Sequence, residues 1–233
     1  MLYIAASVEQ YCDITQVNAL PENEGILELR GLTNEENLGH DLFYGIKSTL
    51  NPLGHDGTCS TCHNGVPQGQ PADRLGEAPQ QIYTDSRYHN IGVPFNREIP
   101  DVAKGEKAGL IAHVPSNQPQ FRVPPGLFKA PTVRNAAKGV TADFTKAFTH
   151  NGWFKSLESL VHFYNTRDAK QKCETIGIID ATEKEALANN CWPQPEFSSP
   201  APIIGKNGLT PAEEKAIVAY VKTLTDSHTP TAP

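Results

Sequence analysis

Long apolar runs and clusters of basic residues are both missing from this sequence of 233 residues. No apolar stretch reaches the roughly 20 residues that a membrane-spanning helix requires. The formal net charge is −6 and the positive charges are scattered, which argues against nucleic acid and anionic membranes as partners. Aromatic residues make up only 8% of the chain, whereas it has 18 glycines and 19 prolines. These proportions predict a loop-rich protein whose order depends on something besides a hydrophobic core.

Sulfur-containing residues are also few, since the chain has one methionine and five cysteines. Two of the cysteines lie in Cys59-Ser60-Thr61-Cys62-His63, the C-x-x-C-H attachment signature of a c-type haem. Two thiols three positions apart on one helical turn reach the two vinyl groups of one porphyrin. The histidine that follows is carried under the iron as its proximal ligand. We therefore predict one covalent haem c, held by Cys59, Cys62 and His63.

A zinc ribbon and a thioredoxin-type redox pair are the other sites that two nearby cysteines indicate. A zinc ribbon needs a second pair of ligands at matching spacing, and the other cysteines stand alone at positions 12, 173 and 191. A redox pair of the thioredoxin type belongs to a βαβ unit, whereas glycine-containing turns at 54–57 and 64–67 flank this motif. Both comparisons favour the haem.

The beginning of the chain lacks the basic and apolar regions of a secretory signal peptide. Attachment of a c-type haem is nevertheless completed outside the cytoplasm. Cys173 and Cys191 are also expected to form a disulfide, which needs an oxidising compartment. Cys12 is the odd cysteine and is expected to be a small buried residue. We expect a periplasmic or otherwise extracytoplasmic protein whose export signal is removed or lies outside this chain.

Apolar periodicity and capping signals predict two helices before the haem motif. The first covers Ile4 to Cys12. The second begins at Thr33 with a T-x-x-E capping box and ends before Asn51-Pro52. Its expected apolar stripe is Leu38, Leu42 and Ile46. Residues 64–130 have little periodicity and many prolines, and we expect this long segment to wrap the haem with short strands or turns.

Three further helices are expected after the long segment. Ser156 can cap a helix whose buried stripe is Leu157, Leu160, Val161 and Tyr164, with His162 and Phe163 pointing elsewhere. An acidic, helix-prone piece covers Thr182 to Asn189. Thr210 begins a capping box with proline at the first helical position, and the stripe that follows is Ile217, Tyr220, Val221 and Leu224. This order fits a mainly α, class I cytochrome c-like haem domain with long irregular insertions.

Several motifs resemble, in the same order, the C-terminal electron-transfer haem domain of the bacterial di-haem cytochrome c peroxidases and MauG-like proteins. They span most of the chain: Leu42-Phe43-Tyr44-Gly45, Cys59–His63, Arg87–Pro94, Phe128–Asn135, His150-Asn151-Gly152, Ser156–Asp168 and Leu209–Thr225. The segment Ile4–Tyr11 resembles the part of the chain that leaves the N-terminal haem domain in that family. The resemblance therefore implies an inter-domain connection in residues 1–32 and a cytochrome c-like haem domain in residues 33–233.

The number of haem motifs departs from the family pattern. Members usually carry two C-x-x-C-H motifs on one chain, whereas this sequence has one. The part without a counterpart resembles the domain whose haem reacts with hydrogen peroxide. The resemblance implies that this chain relays electrons to a peroxide-activating haem on a missing domain or a separate chain. The other function left open is a stand-alone mono-haem electron carrier without catalytic activity. Both functions imply a redox protein as partner.

The resemblance also bears on the second axial ligand of the iron. The electron-transfer haem of the peroxidases usually has a methionine there, but the only methionine here is Met1. A tyrosine stands at that place in the MauG-like branch, and Tyr164 matches it by its position after His150-Asn151-Gly152. Ligation by Tyr164 opposite His63 is therefore implied, and a phenolate would stabilise ferric iron and lower the reduction potential. A hydrogen-bonded core tyrosine is the other interpretation. Four histidines stay alternative ligands: His89, His113, His150 and His162.

Arginines are candidates for holding the haem propionates. Arg134 and Arg122 can do so through charge-assisted hydrogen bonds. An arginine beside prolines is equally well a surface residue. The calcium site that joins the two domains in many relatives is not carried over, because residues 138–146 replace the segment that supplies its ligands.

Overall fold

The computed structural model describes residues 31–63, 82–100, 102–106, 108–139, 147–198 and 200–225. These residues form five α-helices: α1 (Asn34–Tyr44), α2 (Ser60–His63), α3 (Leu157–Thr166), α4 (Glu183–Ala188) and α5 (Pro211–Thr223). They also form 3-10 helices at Leu110–His113, Pro119–Phe121 and Cys173–Ile176, and one antiparallel pair of strands, β1 (Tyr88–His89) and β2 (Phe128–Lys129). The protein is mainly helical with long irregular segments, as predicted.

Some predictions fall outside these ranges. The helix expected from Ile4 to Cys12 lies there, as does the connection expected in residues 1–32 apart from its last two residues. Among the described helices, none is both long and apolar enough to cross a membrane.

The described part of the chain forms two compact units. Unit 1 contains residues 31–63, 82–86, 131–139 and 207–225, and therefore α1, α2 and α5. Unit 2 contains the described residues of 87–130 and 147–206, and therefore both strands, α3 and α4. The domain boundary predicted after residue 32 stays a prediction.

Helices α1 and α5 pack closely against each other in unit 1. Gly39 permits their approach, because a Cβ atom at this position would lie 1.9 Å from the carbonyl oxygen of Ala216. The stripe predicted on α5 is confirmed, since Ile217, Tyr220, Val221 and Leu224 are all buried. Both helices begin with their predicted capping boxes, at Thr33 and Thr210.

Helix α1 is shorter than predicted. It ends at Tyr44 because Gly45 adopts a left-handed conformation, with φ 65°, and its N–H donates to the carbonyl of Asp41. Ile46 is buried, as the stripe predicted, but it lies outside the helix. The Asn51 side-chain amide then donates to the carbonyls of Ile46 and His55, each at 2.8 Å. These two bonds shape the turn that leads to the haem motif.

Unit 2 has an aromatic core beside a disulfide. Cys173 and Cys191 are bonded with their Cα atoms 5.1 Å apart, which confirms the predicted pair. The Trp153 indole donates to the carbonyl of Ala181, so its buried N–H is satisfied. The Trp192 indole donates to the hydroxyl of Thr166 at 2.9 Å. The predicted piece at residues 182–189 forms α4, which the Thr182 capping box begins.

Helix α3 begins where predicted, with the Ser156 hydroxyl accepting a hydrogen bond from the Ser159 N–H, but its buried face differs. The prediction that Phe163 points elsewhere is wrong. Phe163 is completely buried, and its ring centre lies 5.0 Å from that of Phe154 and 5.2 Å from that of Trp192. Tyr164 is only partly buried, at the edge of this core. Aromatic residues from distant parts of the sequence create the environment of Phe163, and periodicity within one helix cannot reveal them.

Candidate haem-binding site

The C-x-x-C-H motif lies on and just before α2 in unit 1. The turn that precedes it contains Thr58, whose φ is 59° and whose N–H donates to Asp56 Oδ1 at 2.6 Å. The His63 N–H then donates to the carbonyl of Cys59 at 3.0 Å, which closes one helical turn. Cys59 and Cys62 are free thiols and partly buried. The structure therefore brings the three predicted attachment residues together on a single turn.

A main-chain carbonyl orients the His63 imidazole. Its Nδ1 donates to the carbonyl oxygen of Tyr83 at 3.2 Å, in the tautomer that leaves Nε2 available to a metal. Tyr83 is buried and has a φ of 50°, which is uncommon for a residue other than glycine. Sequence reasoning missed Tyr83. Every residue has a carbonyl, so no side-chain signal marks this partner.

Both thiols of the motif are protonated at neutral pH. Burial, and secondarily the Asp56 carboxylate, raises the pKa of Cys59 to about 12. Burial, and secondarily the Asp85 carboxylate, raises the pKa of Cys62 to about 11. A thioredoxin-type pair has the opposite property, because its attacking thiol has a lowered pKa. The raised pKa values of both thiols therefore agree with the flanking turns in disfavouring a thioredoxin-type redox pair.

Helix α5 and the segment before it anchor the turn that precedes the motif. The His55 Nδ1 lies 2.6 Å from Oε1 of Glu213, which also belongs to the capping box of α5. The Asn207 side-chain amide donates to the Gly57 carbonyl and to the Thr58 hydroxyl, each at 3.1 Å. The closing helix therefore fixes the approach of the chain to Cys59.

Gly57 shows how closely the motif packs. Its N–H donates to the Leu42 carbonyl at 2.7 Å, and a Cβ atom there would lie 2.7 Å from the Ile217 side chain. The donor set on this support is two thiols and one oriented imidazole. These residues fit a covalently attached haem, in which Cys59 and Cys62 supply the thioethers and His63 Nε2 the iron ligand.

Tyr164, the predicted distal ligand, lies in the last turn of α3 in unit 2. Its carbonyl accepts a hydrogen bond from the Gly205 N–H at 2.6 Å. The buried guanidinium of Arg167, three residues further on, donates to the carbonyls of Ile91, Ala201 and Ile204. The end of α3 is thus fixed by several segments of unit 2. Ligation by Tyr164 stays a prediction.

The four alternative histidines all lie in unit 2. The His150 ring stacks on that of Phe128 with 3.5 Å between ring centres, and its Nε2 lies 3.7 Å from the Glu196 carboxylate. Burial would raise the pKa of Glu196, but the neighbouring His150 and the hydrogen bonds from the Gly105 N–H and the Asn151 amide lower it below its usual value. The His162 Nε2 accepts a hydrogen bond from Lys170 at 2.5 Å. His89 lies on β1, and His113 is exposed at the end of a 3-10 helix.

The two arginines proposed for the propionates lie in different surroundings. Arg134, in unit 1, has its guanidinium carbon 5.5 Å from the ring centre of Tyr83, the residue that orients His63. Arg122 is exposed and follows the 3-10 helix Pro119–Phe121 in unit 2. Propionate binding by Arg134 stays a prediction.

Comparisons with known proteins identify relatives of this chain. No protein-family model matches the chain. The methylamine utilization protein MauG of Paracoccus denitrificans is 30% identical over 173 residues, which are 72% of this chain and 39% of MauG. The crystal structure of the diheme peroxidase BthA of Burkholderia thailandensis is 26% identical with a TM-score of 0.52, covering 87% of this chain and 46% of BthA. A tyrosine-to-methionine variant of BthA is 24% identical with a TM-score of 0.56, covering 99% of this chain and 48% of the variant.

These matches establish the fold and the homology to MauG. The chain spans about two-fifths to one-half of the length of these relatives. Its fold is that of the di-haem peroxidases, which carry haem. The predicted resemblance is therefore confirmed, and the chain is a homologue of the methylamine utilization protein MauG, similar to it over 72% of its own length.

Proposed function

We propose that this chain is the electron-transfer haem domain of a di-haem oxidoreductase of the peroxidase and MauG type. It would pass single electrons to a peroxide-activating haem on another domain or another chain. The observation that carries the proposal is the C-x-x-C-H turn, whose His63 is oriented by the carbonyl of Tyr83 at 3.2 Å. A rigidly held proximal ligand changes little between the ferric and ferrous states, which suits an electron relay.

The residues of this chain would divide the tasks as follows. Cys59 and Cys62 would attach one haem c covalently, and His63 and Tyr164 would ligate its iron. Arg134 would bind a propionate. The attached haem would supply the one-electron chemistry. An iron closed on both sides exchanges electrons without binding substrate, so peroxide would react elsewhere.

The remaining parts of the proposal concern architecture and location. Unit 1 would correspond to a class I cytochrome c core, in which the first and last helices cross close to the haem motif. Residues 1–32 would connect this domain to another haem domain. Covalent haem attachment and the Cys173–Cys191 disulfide support a periplasmic or otherwise extracytoplasmic location.

A stand-alone mono-haem electron carrier is the second candidate function. The observation that favours it is the single C-x-x-C-H motif in 233 residues. Purification of the native protein from its own cells, followed by a pyridine haemochrome assay, separates the two candidates. Two haems in a stable assembly that contains this chain support the relay. One haem, with no haem-bearing partner, supports the carrier and overturns the relay.

A further inference from the structure

Three buried tyrosines meet in unit 1, and we call Tyr44, Tyr83 and Tyr220 the tyrosine cluster. The hydroxyl oxygens of Tyr83 and Tyr220 are 3.5 Å apart, and the ring centres of Tyr44 and Tyr220 are 6.4 Å apart. None of the three side chains is more than 4% exposed. The Phe43 ring fills the space among them, 5.4 Å from that of Tyr220. Phenylalanine would fill the same volume, so packing alone does not account for three hydroxyls.

The tyrosine cluster is connected directly to the haem motif. The carbonyl of Tyr83 accepts the hydrogen bond from His63 Nδ1. One hydrogen bond and the covalent bonds within Tyr83 therefore separate the proximal imidazole from a phenol. Electrons move efficiently over such a short path.

A proton acceptor borders the tyrosine cluster. The buried His40 ring lies 4.9 Å from that of Tyr44 and 5.3 Å from that of Tyr220, centre to centre. Its Nδ1 lies 3.1 Å from the Asp41 carboxylate, which orients the imidazole and leaves Nε2 as the basic nitrogen. Burial, and then the neighbouring phenols, keeps the pKa of Tyr220 well above its usual value. An oxidised phenol is strongly acidic, so oxidation of a tyrosine in this cluster releases the hydroxyl proton together with the electron.

We infer that the tyrosine cluster is a redox-active site that gives one electron to the haem whenever an oxidising equivalent reaches it. The inference rests on the proposed function, in which a peroxide-activating haem supplies that equivalent. The O–H bond of Tyr83 breaks, the electron passes through the His63 hydrogen bond to the oxidised iron, and the proton passes over the Tyr220 hydroxyl to His40. A neutral tyrosyl radical remains, and hydrogen-atom exchange between the two hydroxyls shares it with Tyr220. An external one-electron donor and the proton on His40 then restore the phenol.

The test uses the haem-loaded chain and one equivalent of photogenerated tris(bipyridine)ruthenium(III) per haem, followed by freezing and electron paramagnetic resonance. The variants are Tyr83→Phe and Tyr220→Phe. Tyr88→Phe is the matched control, because Tyr88 lies outside the cluster and is 42% exposed. Tyr83→Phe keeps the main-chain carbonyl that binds His63 and removes the phenol, and the haem absorption spectrum of each variant shows whether the haem site is intact.

The expected result is a tyrosyl signal in the unmutated chain and in Tyr88→Phe that is lost in Tyr83→Phe and weakened in Tyr220→Phe. No tyrosyl signal, or one that survives Tyr83→Phe at full strength, overturns the inference. If the variants fail to fold, the unmutated chain is labelled with ring-deuterated tyrosine. The change in its signal identifies a tyrosyl radical, and microwave power saturation then measures how fast that radical relaxes. A tyrosyl radical whose relaxation the iron accelerates supports the cluster, and a slowly relaxing radical contradicts it. This experiment needs no second haem. Its outcome is therefore independent of the assay that tests the proposed electron relay, and either proposal can be refuted without the other.

Discussion

Single residues around the haem motif divide the work among attachment, ligation and orientation. Attachment needs thiols and ligation needs an imidazole, so these tasks restrict the residue type. Orientation of His63 needs only the carbonyl of Tyr83, which restricts the backbone instead. Ligation on the distal side of the haem also restricts the residue type, and Tyr164 is the residue proposed for it.

Replacing Tyr164 by phenylalanine keeps the ring and removes the oxygen donor. We expect the ferric iron to gain an open position or to recruit water, and to bind small ligands such as cyanide more readily. The reduction potential should rise, because a phenolate stabilises the ferric state. The measurements are the ferric absorption spectrum and a potentiometric titration, with Tyr88→Phe as control. A Tyr164→Phe spectrum and potential equal to those of the parent would assign the ligand elsewhere, and histidine variants would follow.

Residues that act through their side chains could be predicted from the sequence, whereas a residue that acts through its backbone could not. Cys59, Cys62 and His63 could be predicted because haem attachment demands those side chains at that spacing. Tyr83 could not, since its functional atom is common to all residues. Arg134 was predicted from its charge, and its place beside the Tyr83 ring became visible only in the fold.

Among the secondary-structure elements, α1 and α5 matter most because they support the turn before the haem motif. Gly39→Ala should destabilise the chain by about 1–3 kcal/mol, because the added methyl group would meet the Ala216 carbonyl and force the helices apart. Urea unfolding of the haem-loaded chain measures this. Lys215→Ala, on the exposed side of α5, is the control and should change stability by less than about 0.5 kcal/mol. A Gly39→Ala variant as stable as the control would refute the close approach.

The N-terminus of α5 gives a prediction about pH. Burial would raise the pKa of Glu213, but hydrogen bonds from Thr210 and His55 lower it overall. The unfolded carboxyl titrates near pH 4.3, so the stabilisation is present above that pH and is lost as the pH falls through the lower folded value. Glu213→Gln keeps a capping side chain without the charge. It should cost about 1 kcal/mol at neutral pH and nothing once the carboxyl is protonated.

Urea unfolding of the unmutated chain and of the Glu213→Gln variant, measured from neutral to acidic pH, checks this prediction. Glu35→Gln is the matched control, because it removes an exposed carboxylate that pairs with Lys215 on the surface. A Glu213→Gln deficit that is the same at all pH values would exclude the charge as its cause.

The elements themselves could largely be predicted, because capping boxes and periodicity are local signals. Thr33, Ser156 and Thr210 cap helices as expected, and α4 forms within the helix-prone piece predicted from Thr182 to Asn189. The end of α1 was missed, since the left-handed turn at Gly45 outweighs the apolar stripe that continues to Ile46. The burial of Phe163 was missed because it depends on Phe154 and Trp192. Long-range packing of this kind leaves no periodic trace in one segment.

For the whole molecule, the five cysteines give a simple count. Two are expected as thioethers to haem and two form the disulfide, which leaves Cys12. The denatured, unreduced, haem-loaded chain should therefore show one alkylatable thiol, and three after reduction. Loss of the disulfide should destabilise the chain by about 3 kcal/mol in the chain-entropy account. Three thiols before reduction would rule out the pairing of Cys173 with Cys191.

The central claim for the whole molecule is that one haem, closed on both sides, relays electrons without reacting with peroxide. Cleavage of peroxide to water takes two electrons and needs a free position on the iron, and an iron with protein ligands on both sides would offer none. The direct measurement is steady-state peroxide consumption by the purified haem-loaded chain, with a reduced cytochrome or dye as electron donor. We predict rapid single-electron oxidation and reduction of the haem with negligible peroxide turnover. Turnover at rates typical of enzymes, roughly 1–1000 per second, would contradict the account and require an open haem face.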